Sequence, residues 1–246
     1  MKGDRLMSSS SRTAKASRLS STETSQTAIV LTGTNPSIDL SYTTLVGNNP
    51  SANGNVIAWW PSTTLAIPYS QAPAGTFPIP GTSNQGSVAI PALISTNSYV
   101  VGYSVGPSLT EPNGQTWANI CTLGLIPDAQ STAPFSYSTP DVPSLLATIQ
   151  SESLSVGYSL PTGNTPQSND AWIGVYEGTP DIYDGPPQFF QPITSNLDTG
   201  GAVVFNNIPL DRGLTYTVVL FMSGYSQQAT SLTLGTAAAT YQFTIP

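Results

Sequence analysis

The chain has 246 residues, room for one or two domains, and its 39% hydrophobic content is enough for a core, which excludes a wholly disordered chain. Only 8% of residues are charged, and 22 prolines and 21 glycines work against helix, so short strands joined by many turns are expected. Lys2, Arg5, Arg12, Lys15 and Arg18 are five of the six cations, whereas the remainder sets Arg212 against twelve acids; such a body argues against nucleic acid and against an anionic membrane surface.

There is no histidine, which removes Ser-His-Asp and Cys-His nucleophiles and every histidine-containing metal site. Cys121 stands alone, so no intrachain disulfide is expected, and a lone cysteine in a strand reads as a small buried hydrophobe. No apolar run reaches 18 residues, hence no membrane span is expected, and no apolar stretch follows the first cations to make a secretory signal.

Residues 1–27 are Ser/Thr-rich without an apolar period and read as a disordered, weakly basic tail. Two other readings stand beside it: a transit peptide, on the Arg-, Ser- and Ala-rich composition from Met7, and a basic arm of the kind a viral capsid protein carries.

A duplication follows. The pivotal stretch is Asn169-Asp170-Ala171-Trp172-Ile173-Gly174-Val175-Tyr176-Glu177, and Asn55-Val56-Ile57-Ala58-Trp59-Trp60-Pro61 lies over it at an offset of 116. Ala28–Thr32 lies over Ser144–Thr148, and Ser37–Tyr42 over Ser153–Tyr158, at the same offset. Gly86–Ile90 matches Gly201–Phe205, Tyr99–Val101 matches Tyr216–Val218, Thr122–Gly124 matches Thr233–Gly235, and Phe135–Pro140 matches Tyr241–Pro246. Order kept with a drifting offset is what loop insertions in a repeat produce. Two repeats result, 28–140 and 143–246, separated by Asp141-Val142 between Pro140 and Pro143, a short stiff junction.

Each copy carries about seven strand signals in roughly a hundred residues, with turns such as Gly47-Asn48-Asn49-Pro50, Gly163-Asn164 and Asn206-Asn207. The expected fold is all-β: two tandem immunoglobulin/fibronectin III-like sandwiches, with a jelly roll as the alternative.

In the pivotal strand, alternation puts Ile173 and Val175 on a core face and Trp172 and Tyr176 on the other. That second face is either covered by a loop or open; if open, Trp59, Trp60, Trp117, Trp172 and Tyr176 are candidates to stack on a carbohydrate or a protein segment. Phe189 and Phe190, in a Pro-rich loop, are expected to supply one core anchor matching Phe77 and one partner contact. Asp170, Glu177, Asp181 and Asp184 could fold around Ca2+ or read as a solvated acidic loop. Arg212, in the turn Asp211-Arg212-Gly213, serves solubility or pairs with Asp211.

The run Asp170-Ala171-Trp172-Ile173-Gly174-Val175-Tyr176, then Gly201–Phe205, then Tyr216–Phe221 with Gly224-Tyr225, resembles the immunoglobulin/fibronectin-like module in front of purple acid phosphatase domains and in many bacterial extracellular enzymes. Ala171 is an insertion relative to that pattern. The resemblance implies a sandwich with an accessory, non-catalytic role and supplies no active site or cofactor. Three functions are therefore weighed: a non-enzymatic binding or structural protein (adhesion, assembly or carbohydrate recognition), a viral coat protein with a basic arm, and a hydrolase using loop carboxylates.

Overall fold

A computed structural model of the chain describes residues 20–31, 37–68, 71–91, 98–106, 117, 119–127, 141–150, 152–198 and 200–246. A strand β1 (Ser20–Gln26) precedes both copies. Among the described residues seven strands form the first copy: β2 (Ala28–Leu31), β3 (Ile38–Thr43), β4 (Val56–Pro61), β5 (Gly75–Pro78), β6 (Gln85–Ile90), β7 (Tyr99–Ser104) and β8 (Ile120–Ile126). Seven more form the second: β9 (Ser144–Gln150), β10 (Ser153–Ser159), β11 (Trp172–Glu177), β12 (Phe189–Pro192), β13 (Gly201–Phe205), β14 (Thr215–Phe221) and β15 (Ala237–Thr244).

Both copies have the same antiparallel order. The first pairs β2-β3-β6 in one sheet and β5-β4-β7-β8 in the other; the second repeats this as β13-β10-β9 and β12-β11-β14-β15. In each, the fourth strand joins the third rather than closing the opposite sheet as in an immunoglobulin constant domain. Both copies are thus fibronectin III-like sandwiches. The registers agree as well: Ile57 faces Tyr103 as Ile173 faces Leu220, and the ladder to the last strand of each copy shifts at equivalent points, after Tyr103 and after Leu220.

Each sandwich closes over the alternating residues of its strands. Ile57 in the first copy and Ile173 and Val175 in the second point into one continuous buried cluster that spans both inner cores. Two tyrosines lie across glycines on the neighbouring strand: Tyr42 over Gly86, with the ring carbon bearing the hydroxyl 2.7 Å from where a Cβ would stand, and Tyr158 over Gly201 at the same distance. The two glycines are the matched Gly86 and Gly201, so their spacing in the sequence already marked the pair.

Three expectations are corrected. Ser20–Gln26, placed in the disordered tail, is a strand, paired antiparallel with β15 from Ser20↔Thr244 to Gln26↔Ala239. Residues 1–19, where the transit-peptide and basic-arm readings fall, lie outside the described residues. The match of Thr122–Gly124 with Thr233–Gly235 is out of register, because Ile126 faces Tyr99 as Phe243 faces Tyr216. Thr122 therefore lies over Ala239, and Leu234–Thr236 form a 3-10 turn; Ala237-Ala238-Ala239 has little strand propensity and hid the true partner. Phe135–Pro140 lie outside the described residues. Lastly, Phe189 and Phe190 sit in an edge strand, where proline is tolerated, and Pro192 aligns with Pro78, so neither phenylalanine stands at the place of Phe77. Phe77 matches Gln191, although Phe77 and Phe189 both pack on the inner core.

The copies are locked by a reciprocal exchange. The loop after β3 puts Leu45 among Trp172, Tyr176 and Ile182 on the outer face of the second copy. The equivalent loop after β10 places Thr162 and Asn164 on the first copy, where the Ile67 N–H donates to the Thr162 carbonyl (2.9 Å) and the Asn164 amide donates to the Ile120 carbonyl (3.3 Å). Gly47 and Gly163, both at positive φ (88° and 92°), make the close approaches: Gly47 to Tyr183 and Gly163 to the Ile67 backbone. The last strands are served the same way. Ser25 pairs with Thr240 of the second copy, and Asp141, its equivalent before the second copy, pairs with Leu123 of the first. The Asp141 carboxylate then accepts from the Thr162 N–H (2.8 Å) and hydroxyl (3.1 Å).

Cys121 is buried beside Tyr103, its thiol 3.5 Å from the Tyr103 carbonyl, and burial pushes its pKa up to about 12. Burial also raises the phenols of Tyr103, Tyr176 and Tyr183. A group held protonated in the fold but ionising when unfolded binds more protons in the native state, so stability is present below the unfolded pKa and falls as pH rises through it. Denaturant titrations should show stability level near neutrality and declining above about pH 9, by about 1.4 kcal/mol per pH unit for each group that ionises on unfolding. Cys121 should stay inert to a thiol reagent at pH 8 until denaturant is added, and rapid native labelling would contradict the burial.

Substituting Gly201→Ala drives a methyl into the Tyr158 ring and should destabilise by about 1–3 kcal/mol in the same titration. The Gly201→Ala, Tyr158→Leu pair should recover most of that loss.

Candidate binding groove

Most of the aromatic face proposed for stacking is closed. Trp172 and Trp60 have no exposed surface and Tyr176 is 4% exposed. Trp172 stacks on Phe221 with centroids 3.8 Å apart and its indole N–H donates to the Ser223 carbonyl (3.1 Å). Trp60 meets Trp117 edge-on at 5.6 Å and donates to the Gln71 carbonyl (3.1 Å). Their polar edges are satisfied inside the protein, so these rings serve packing. Trp172 and Tyr176 are covered by Leu45 of the other copy and by the segments around Ile182, Tyr225, Leu232 and Leu234, and Trp60 by Leu65, Ile67 and Trp117 of its own copy. Trp59 and Phe189 are half-buried against the inner core, Trp117 against Trp60, and Phe190 against Trp172.

The four candidate Ca2+ ligands are not brought together, and among the described residues no group of three His, Cys, Asp or Glu converges. Asp170 and Glu177 bracket β11, which separates them by about 20 Å at the rise of a strand. Asp170 has φ 53° and takes the place that Gly54 (φ 68°) takes in the first copy. The loops agree bond for bond there: Gly54 N–H donates to Ser51 and Asp170 N–H to Gln167, Asn55 N–H to Pro50 and Ala171 N–H to Pro166. Asp170 thus fills a left-handed turn position that aspartate tolerates better than most residues. Asp181 accepts from the Tyr183 N–H (3.1 Å) and shapes its own loop.

What the structure assembles instead is a groove of about 380 Å3 on the outer face of the second copy. Thr217 of β14 and Thr240 and Gln242 of β15 form its floor, Glu23 and Ser25 of β1 one wall, and Thr179–Ile182 the other. Leu45–Gly47 of the first copy close one end, with Val46 84% exposed. Strand register explains the convergence: Glu23 faces Gln242, Ser25 faces Thr240, and Gln242 faces Thr217, so their side chains rise on one face. The far wall is tied down by the Thr217 hydroxyl donating to the Gly178 carbonyl (2.6 Å), and by the Tyr176 hydroxyl within 3.2 Å of the Gly185 carbonyl. The Gln242 amide donates to Thr217 (3.4 Å).

Among the described residues the groove offers hydroxyls and an amide that donate and accept, two carboxylates that only accept, and no cation. It suits a neutral or cationic ligand rich in hydrogen-bond donors. Of the residues singled out in the sequence, only Asp181 lines it. Glu23, Ser25, Thr217, Thr240 and Gln242 were missed because the groove exists only once β1 pairs with β15 and the copies pack. A second cavity, about 470 Å3, lies by the β9–β10 turn and is walled by Ile149, Ile208, Leu210 and Ile245 with Arg212 at its rim. Arg212 is exposed and makes no ion pair among the described residues, so of its two readings the pairing with Asp211 is not seen.

No protein family and no curated protein matches the chain. Among solved structures it is similar to the FN1–FN3 domains of chicken CNTN1, at 13% identity over 88% of this chain and 64% of that one, with a TM-score of 0.27. It is also similar to Salmonella alpha-2-macroglobulin reacted with methylamine, at 10% identity, 89% and 17% coverage and a TM-score of 0.25. The chain therefore spans less than two thirds of the first and about a sixth of the second. The fold class rests on the strand order of the two sheets in each copy: this is a pair of fibronectin III-like sandwiches.

Replacing Asp170 separates the turn from a metal site. Asp170→Gly should melt within about 0.5 kcal/mol of the parent, and Asp170→Val should lose about 1–2 kcal/mol from a strained left-handed residue. Ca2+ that raises the melting temperature of the parent but not of Asp170→Gly would reverse this assignment.

Proposed function

We propose that the chain is a non-catalytic binding and structural protein whose two sandwiches act as one rigid unit, with a carbohydrate seated in the groove. The observation that carries the reading is the groove's lining: Ser25, Thr179, Thr217, Thr240 and Gln242 with the carboxylates of Glu23 and Asp181. Sugars present vicinal hydroxyls, which such a set engages by donating and accepting at once. A volume of about 380 Å3 lies within the range of small-ligand sites. An accessory role of the kind the purple-acid-phosphatase module plays fits the same picture, and the loop carboxylates, set apart as they are, give little support to a hydrolase.

A second reading has its own observation. Val30 and Leu146, equivalent residues on the outer faces of the three-stranded sheets, are each 58% exposed, and Val204 joins Leu146 on one face. Their cross-strand partners Ser41, Ser87, Ser155, Gly157 and Ala202 are small and uncharged, with Asp39 on the same face as Val30. Exposed apolar side chains of this kind favour packing between subunits, as a coat or matrix protein needs.

Glycan-array screening followed by calorimetry tests the first reading. Binding should fall about tenfold or more in Glu23→Gln with Thr240→Val, while thermal melting stays close to the parent. If no glycan binds, the carbohydrate reading is lost. Light scattering tests the second: large regular particles that disappear in Leu146→Lys would put assembly first.

A further inference from the structure

We infer that the edge of β15 is a strand-acceptor site and that the segment Ser20–Gln26 of one molecule seats on β15 of a second copy of this chain, giving an arm-exchanged dimer. The arm is held in a way that makes it replaceable. Its sequence, Ser-Ser-Thr-Glu-Thr-Ser-Gln, is wholly polar, and of the residues whose side chains are described, Glu23, Thr24 and Gln26 are exposed and Ser25 is half-buried. None belongs to a buried cluster. The arm therefore adheres through main-chain pairing, with a register shift between Ser21 and Glu23. Pairing of that kind is reproduced in full by an identical segment from another molecule.

The acceptor is also already used across a boundary. Ser25 belongs to the segment leading into the first copy yet pairs with the second, and Asp141, leading into the second copy, pairs with the first. Each last strand takes its outer neighbour from beyond its own sandwich. The anchor is next to the arm: Thr27 is fully buried and its N–H donates to the Ala238 carbonyl (2.9 Å), so the seven residues before it can swing while the sandwich stays closed. An empty β15 edge would leave a row of unpaired N–H and C=O groups, so release of one arm is offset by arrival of another. The occupant is specified by the edge itself, since β15 sets its side chains against the Glu23 and Ser25 face in one register.

A disulfide trap tests the exchange. Cross-strand partners such as Ser25 and Thr240 lie about 4.5–5.5 Å apart between Cα atoms, within the range a disulfide spans. Two full-length chains are prepared, one with Ser25→Cys and one with Thr240→Cys, both with Cys121→Ala, the residue that Ala238 supplies in the second copy. They are mixed at high concentration, warmed and oxidised. A disulfide-linked heterodimer is expected, together with a concentration-dependent dimer by light scattering that falls about tenfold or more in a chain beginning at Ala28. A third chain carrying both new cysteines should close the link within one molecule when dilute. If that chain closes while the mixture stays monomeric, the arm pairs only in its own molecule and the inference is overturned. If the double-cysteine chain does not close, β1 does not seat on β15 at all and the inference is likewise overturned. Neither readout depends on ligand in the groove.

Discussion

An unpaired strand edge is the constraint on which this molecule is built. A fibronectin III-like sandwich leaves the outer side of its last strand with free backbone donors and acceptors. Here those edges are β8 and β15, and each is met from the flank of the other copy, by Asp141 on Leu123 and by Ser20–Gln26 on β15. The facing loops cross the same boundary: Leu45 onto Trp172, Thr162 and Asn164 onto Ile67 and Ile120. The cover on Trp172 and the groove both draw on that crossing, through Leu45 and β1, whereas Trp60 is buried by residues of its own copy. The unit is accordingly closer to an internal two-fold dimer than to two beads on a linker.

Much of the architecture was legible in the sequence, since a strand's alternation survives in a single copy and duplication reports on itself. Ile57 and Ile173, Tyr42 and Tyr158, and Gly86 and Gly201 are each matched by offset, and each pair does the same work in its sandwich. The last strand was the exception. Ala237-Ala238-Ala239 carries almost no strand preference and is held by its neighbours, so the short string Thr-Leu-Gly pulled the alignment away.

The site was far less legible. Alternation says that Trp172 leaves the inner core but not what it meets, and the answer, Leu45, lies over a hundred residues away. Composition assigned Ser20–Gln26 to disorder because nothing in it is apolar, and none of its described side chains, Glu23 to Gln26, is buried; main-chain pairing recruits it. Asp170 had a readable clue, since Gly54 stands at the matching position and glycine opposite aspartate marks a left-handed turn better than it marks a ligand.

The antiparallel pairing of Ser20 with Thr244 has a mechanical meaning. A load drawn through those two residues pulls the ends of neighbouring strands away from each other on the same side. The bonds between β1 and β15 would then break in succession, like a zip, and the yield force would be set by a single rung. Shear geometry, in which a whole ladder must fail together, would need force entering at opposite ends of the two strands. Tension along the chain would thus peel off the arm early and leave both sandwiches standing, a fuse in series with a much stiffer body.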